Sequence, residues 1–182
     1  MFDQHGQRKY LNAKERKRFL AVVSAIPERS QRTFCQTLYY TGCRPGEALG
    51  LTVDRIDIQE HSLVFATLKQ RGAIRYRSVP VPADLIDDLR ALTTGRSSSQ
   101  TVWPLSRSSG WRLVKKCLIQ AGVSGPRATS RGLRHGFAVA CIQKNIPLST
   151  VQKWLGHRSL KNTSIYLDFT AADERTFARR IW

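Results

Sequence analysis

Apolar residues recur at helical spacing along most of this chain, and the rhythm breaks once, between Asp54 and Val81, into short alternating runs. Alternation puts successive side chains on opposite faces of a strand, whereas recurrence every three or four residues lines one face of a helix. The break therefore fixes the architecture as mainly α with a small three-stranded antiparallel sheet (α+β). Its strands are expected at Arg55-Ile56-Asp57-Ile58, at Leu63–Thr67 and from Ile74 into Val79-Pro80-Val81, separated by polar turns.

The helices can be placed from their periodicity and caps. Asn12 followed by Glu15 has the form of a capping box, and Phe19, Val22, Val23 and Ile26 then share a face. A second helix is expected from Glu28 to Tyr40, stopped by Gly42. Leu85, Leu89 and Leu92 mark another, Val114, Cys117, Leu118 and Ala121 a fourth, and Leu133, Phe137, Ala140 and Cys141 a fifth. Pro147 suits the first turn of the next helix, which carries Leu148, Val151 and Leu155, and Phe177 with Ile181 suggests a short final one. The stretch from Thr93 to Thr101, with Ser97-Ser98-Ser99, reads as a mobile surface loop rather than a domain boundary.

With 182 residues, 41% of them hydrophobic, the chain suits one globular domain or one domain plus a short tail. Thirty Lys and Arg against 13 Asp and Glu give a formal charge of +17. That excess argues for a polyanionic partner, most commonly nucleic acid, against the alternative of a basic protein that is merely soluble. Cys35, Cys43, Cys117 and Cys141 form no C-x-x-C pair, so reduced, mostly buried thiols are expected and no zinc site. A polar N-terminus and the lack of an apolar run near the roughly 18 residues that span a bilayer point to a cytoplasmic protein.

Three motifs carry chemistry. In Thr41-Gly42-Cys43-Arg44-Pro45-Gly46-Glu47, an arginine follows a helix-ending glycine and opens a new short helix. There its guanidinium could grip two phosphate oxygens, with Glu47 orienting it from behind; alone, the pair would be an ordinary surface ion pair. In Arg131-Gly132-Leu133-Arg134-His135-Gly136-Phe137 the two arginines are three apart and share a helix face, alone a solvated basic face. His135 is expected to point elsewhere, in a structural role. In Leu155-Gly156-His157-Arg158-Ser159 a glycine-broken turn between helices could bring an imidazole close to Tyr166, nine residues on.

Together, T-G-x-R-x-x-E, L-R-H-G-F-A and L-G-H followed by tyrosine resemble the tyrosine recombinase (phage integrase) family, over about residue 10 to residue 168. The resemblance implies that Tyr166 attacks a DNA phosphate to give a 3′-phosphotyrosyl link and a free 5′-hydroxyl. Arg44 and Arg134 would neutralise charge on the pentavalent phosphorane, and His157 would hydrogen-bond the phosphate. Lys69 sits where the family carries a β-hairpin lysine that protonates the leaving 5′-oxygen, with Arg71 and Arg75 close by in sequence. Arg71, Arg75 and Arg158 would contact DNA. Neither metal nor other cofactor is implied, because the phosphotyrosyl bond conserves the energy of the bond it replaces.

Arg131 departs from the family, which more often has histidine there; an arginine binds phosphate but cannot shuttle a proton. A second departure is at the start: residues 1–10 form only a short extension, with no separate N-terminal DNA-binding domain. The chain is expected to be a single catalytic domain, 1–182, either a short natural recombinase or a fragment. Its 167–182 tail would dock on a neighbouring subunit or on its own domain. The resemblance implies double-stranded DNA with a specific recombination site, a Holliday-junction intermediate, a homotetramer on DNA and a monomer when free, in the cytoplasm at the nucleoid. Two other readings share the fold: a type IB topoisomerase, and a DNA-binding regulator that has lost cutting.

Overall fold

Asn12 Oδ1 accepts the Glu15 N–H at 2.8 Å and the Glu15 carboxylate accepts the Asn12 N–H at 2.9 Å, so the capping box forms and starts helix α1 (Ala13–Ser24). The computed structural model describes residues 1–68, 74–167, 178, 179 and 181. Helix α2 (Arg29–Thr41) is capped by the Glu28 carboxylate and ends at Gly42, whose φ of +60° suits glycine. Arg44 caps the one-turn helix α3 (Pro45–Leu49). Strands β1 (Ile56–Asp57), β2 (Ser62–Leu68) and β3 (Ile74–Pro80) form the expected antiparallel meander, in that order, with Leu63 opposite Val79 and Phe65 opposite Arg77. Helices α4 (Ala83–Thr93), α5 (Arg107–Gln120), α6 (Ser130–Gln143), α7 (Leu148–Leu155) and α8 (Lys161–Ser164) follow.

Helix α2 is the hub and packs on α1, α4, α5 and α6. Its Phe34 meets Trp103 edge-on at 5.6 Å between ring centroids, and the Trp103 indole N–H donates to Thr33 Oγ1 at 3.0 Å. Trp103, Phe34, Phe19 and Phe65 are all buried, each contributing about 1.5–3 kcal/mol by leaving water. All four cysteines are buried and free, as expected. Among the described residues no helix is long and apolar enough to cross a membrane.

Helix α6 is buried along most of its length. Its two glycines make that possible. A Cβ on Gly132 would lie 2.0 Å from the Arg127 carbonyl oxygen, and one on Gly136 would lie 2.7 Å from that of Leu11. This close approach is also a bonded one, since Leu11 N–H donates to Gly132 O at 3.2 Å. The glycines flanking Arg134 thus let α6 sink far enough to carry a cation into the protein.

Two expectations shift. Pro147 is the N-cap of α7, with extended backbone, rather than a residue of its first turn. The 93–101 stretch is tied down where its serines suggest a mobile loop: Val53 N–H donates to Gln100 O and Asp54 N–H to Ser98 O, both at 3.0 Å. The last helix expected around Phe177 and Ile181 lies largely outside the described residues.

Replacing Gly132 by alanine tests the close approach. Helix propensity alone favours alanine by about 1 kcal/mol, so a net loss isolates the clash; a loss of about 1–3 kcal/mol is expected, read as a lower urea midpoint at unchanged slope.

Candidate active site

Arg134 brings a buried positive charge to the site. Its Nη1 donates to Gly42 O and its Nη2 to Leu155 O, each at 2.7 Å, and the residue is buried. Those carbonyls stand at the C-terminal ends of α2 and α7, where acceptors lack helical partners and the helix dipole is negative. Burial, and then the charge of Arg44, lower its pKa to about 10, so it stays protonated at neutral pH.

Arg44 is half exposed and is held by Glu47 as expected: its Nη1 meets Oε1 at 3.0 Å and its own N–H meets Oε2 at 2.8 Å. Most of the Glu47 side chain is covered, and a second cation, Arg77 of β3, reaches it through two bonds, Nη2–Oε2 at 2.7 Å and Nη1–Oε1 at 3.2 Å. Burial pushes the Glu47 carboxyl up, but the Arg77 contacts and the Arg44 N–H outweigh it, and the net shift is downward.

His157 follows the cap of α7 at Gly156, where φ is +66°. Its Nδ1 is paired with Thr163 Oγ1 at 2.9 Å, which leaves Nε2 for the groove that the ring lines. Tyr166, just past α8, is buried with its ring nearly parallel to that of His157, centroids 6.3 Å apart. Its hydroxyl lies 2.7 Å from Nδ1 of His135. That corrects the expectation for His135, which does not point away from the site. Burial raises the phenol's pKa, while the charges of Arg134 and Arg44 pull it down.

The two histidines share one electrostatic condition. Burial, with Arg134 next, brings each to a pKa of about 4, so both are neutral at pH 7. Arg131 is exposed, and its charge is among those that depress His135. It does not line the groove. Arg44, Arg75, Arg107, Lys153 and Arg158 do, together with Glu47, His157 and the exposed Trp111. Lys69 and Arg71 lie outside the described residues. Among the described residues no three His, Cys, Asp or Glu side chains gather as a metal site would require.

The structure thus brings Arg44, Glu47, Arg134, His157 and Tyr166 together and leaves Arg131 at the rim, beside His135. Sequence reading missed Arg77 and His135. A signal existed for Arg77: it shares strand parity with Val79, so it faces inward with that buried residue. None existed for His135, whose partner comes from an element thirty-one residues further on.

Stability should follow the histidines. Their folded pKa lies below the ordinary value of about 6.5, so the unfolded chain binds more protons between the two. The stabilisation is complete above pH 6.5 and is lost as pH falls towards 4. Urea midpoints at pH 7 and pH 5 check this, ahead of the lower range where Glu47 protonates, and His157→Gln should flatten the slope.

The sequence pattern described as "Phage integrase family" matches residues 9–173. The tyrosine recombinase XerA of Thermococcus kodakarensis is 31% identical over 172 residues, covering 89% of this chain and 58% of that protein. This chain thus spans little more than half the length of that relative. The XerH site-specific recombinase in a post-cleavage complex with palindromic difH substrate superposes with a TM-score of 0.75 at 24% identity, over 93% of this chain and 52% of that one. The catalytic domain of bacteriophage HP1 integrase gives 0.69 at 20% identity, over 90% and 89%. With its motifs in order, its meander inserted among the helices and the match running nearly end to end, the chain belongs to the phage integrase family.

Proposed function

We propose that this chain is the catalytic part of a site-specific DNA recombinase of the integrase or invertase type. It cuts and rejoins double-stranded DNA through a 3′-phosphotyrosyl intermediate and a Holliday junction. The observation that carries the reading is the placing of the Tyr166 ring against His157 and its hydroxyl against His135, the neighbour of Arg134, whose guanidinium bonds Gly42 O two residues before Arg44. Both arginine charges favour the phenolate, while burial raises its pKa. A phenol ionises at about pH 10 in water, so attack at neutral pH needs this electrostatic help. Arg134 and Arg44 then bind the nonbridging oxygens of the phosphate, and His157 Nε2 hydrogen-bonds it. Lys69 protonates the departing 5′-oxygen.

The groove suits a duplex, since Arg75, Arg107, Lys153 and Arg158 surround the site with cations. Before attack, Tyr166 must exchange its bond to His135 for the phosphate, which makes the described arrangement that of the resting enzyme. We further infer a homotetramer on two DNA sites, assembled from free monomers and working on nucleoid DNA without metal or other cofactor. XerH is described as bound to a recombination substrate, which supports DNA as the partner here.

Covalent capture tests the reading. A pool of singly nicked duplexes with randomised arms should yield a detergent-stable protein–DNA adduct, lost in Tyr166→Phe and slowed roughly a hundredfold to a thousandfold in Arg44→Ala. An adduct that persists without the phenol, or no adduct from any duplex, would overturn it. Arg131→His should preserve or raise the rate, and a hundredfold loss would assign the guanidinium its own role.

A further inference from the structure

Arg77 belongs to no motif in this chain, yet its guanidinium makes four hydrogen bonds beside the site. Beyond its two bonds to Glu47, its Nε donates to Trp154 O at 2.8 Å and its Nη1 to Thr67 Oγ1. Thr67 in turn donates to Glu47 Oε1 at 3.0 Å. One guanidinium therefore joins β3 to β2, to α3 and to the end of α7, two residues before Gly156. That glycine is needed for more than its turn. A Cβ there would sit 2.9 Å from Arg77 Nη1 and 3.0 Å from Cζ, inside the space the guanidinium occupies.

Charge accounting gives this cluster a function. Glu47 accepts five hydrogen bonds: two from Arg44, two from Arg77 and one from Thr67. Arg77 is only 6% exposed and cannot be left without a counter-charge, whereas Arg44 is 50% exposed and can turn to the groove. One carboxylate between two guanidiniums leaves a net charge of +1, and the buried cation has the shorter contact. Without Arg77, Glu47 and Arg44 would form a neutral pair.

We infer that Arg77 is a positioning residue: by claiming the Glu47 carboxylate, it keeps the Arg44 charge free for the scissile phosphate. This rests on the recombinase reading and goes beyond it, since that reading gives Arg77 no role. An alternative, that Arg77 only staples β3 to α7, makes a different prediction.

A double-mutant cycle separates the two, using covalent capture on the same nicked pool with R77Q, E47Q and E47Q/R77Q. If Arg77 acts by offsetting Glu47, R77Q slows adduct formation about tenfold to a hundredfold, and the same change in the E47Q background slows it less than about threefold. R77K, which keeps the charge, should recover part of the loss. Equal losses in both backgrounds, with cooperative thermal melts, overturn the inference in favour of the staple. Wild-type speed in R77Q overturns it outright. If R77Q alone does not fold, the E47Q background decides, and a loss above tenfold there is the overturning result. Failure of the wild type to form an adduct instead removes the recombinase reading itself.

Discussion

A buried cation that makes no ion pair among the described residues organises this protein. Arg134 is balanced by the carbonyls of Gly42 and Leu155, where α2 and α7 run out of helical partners. Burying a guanidinium without such bonds would cost several kcal/mol, so the ends of α2 and α7 are held on α6 in one arrangement. That arrangement also fixes Cys43-Arg44 and Gly156-His157, which leave those two ends. Because carbonyl dipoles satisfy the hydrogen bonds without cancelling the charge, the positive charge of Arg134, partly offset by Glu47, remains to act on an anion that enters.

Arg44 and Arg134 reach the same condition by different routes. Arg134 is deep and bound, among the described residues, by two neutral oxygens; Arg44 is open and bound by a carboxylate that a third arginine shares. The field they set up reaches the other groups of the site. It helps hold His135 and His157 neutral, so that His157 can either donate or accept through Nε2, and it offsets part of the desolvation that raises the Tyr166 phenol. Preorganised charge of this kind needs no rearrangement when a phosphate arrives.

Much of this was legible in the chain itself. The period break from 54 to 81 located the meander, and Asn12, Gly42 and Pro147 marked helix ends to within a residue or so. Those signals are local and depend on backbone conformation, which neighbouring residues decide. The grouping of Arg44, Glu47, Arg134, His157 and Tyr166 was legible only through motif order, because no spacing rule brings α3, α6 and α8 together. What stayed hidden was long-range pairing of ordinary-looking residues. Arg77 looks like one more cation on a basic strand, and only the approach of α3 and α7 turns it into the partner of Glu47. His135 has no partner until α8 folds back on α6. The serine-rich 93–101 stretch misled for the same reason: composition reports solubility, while backbone bonds to 53 and 54 decide order.

Tyr166 hangs from α8, a single turn with no side-chain cap. Its main-chain support is the bond from its own N–H to Thr163 O at 3.0 Å. The arginines, by contrast, stand on longer helices or on a helix junction braced by β3. Unwinding that one turn would release the Tyr166 phenol, and with it the Thr163 bond to His157, while Arg134 and Arg44 keep their own partners. On the proposed recombinase reading, the two arginines are set to hold a phosphate before the phenol is free to attack it.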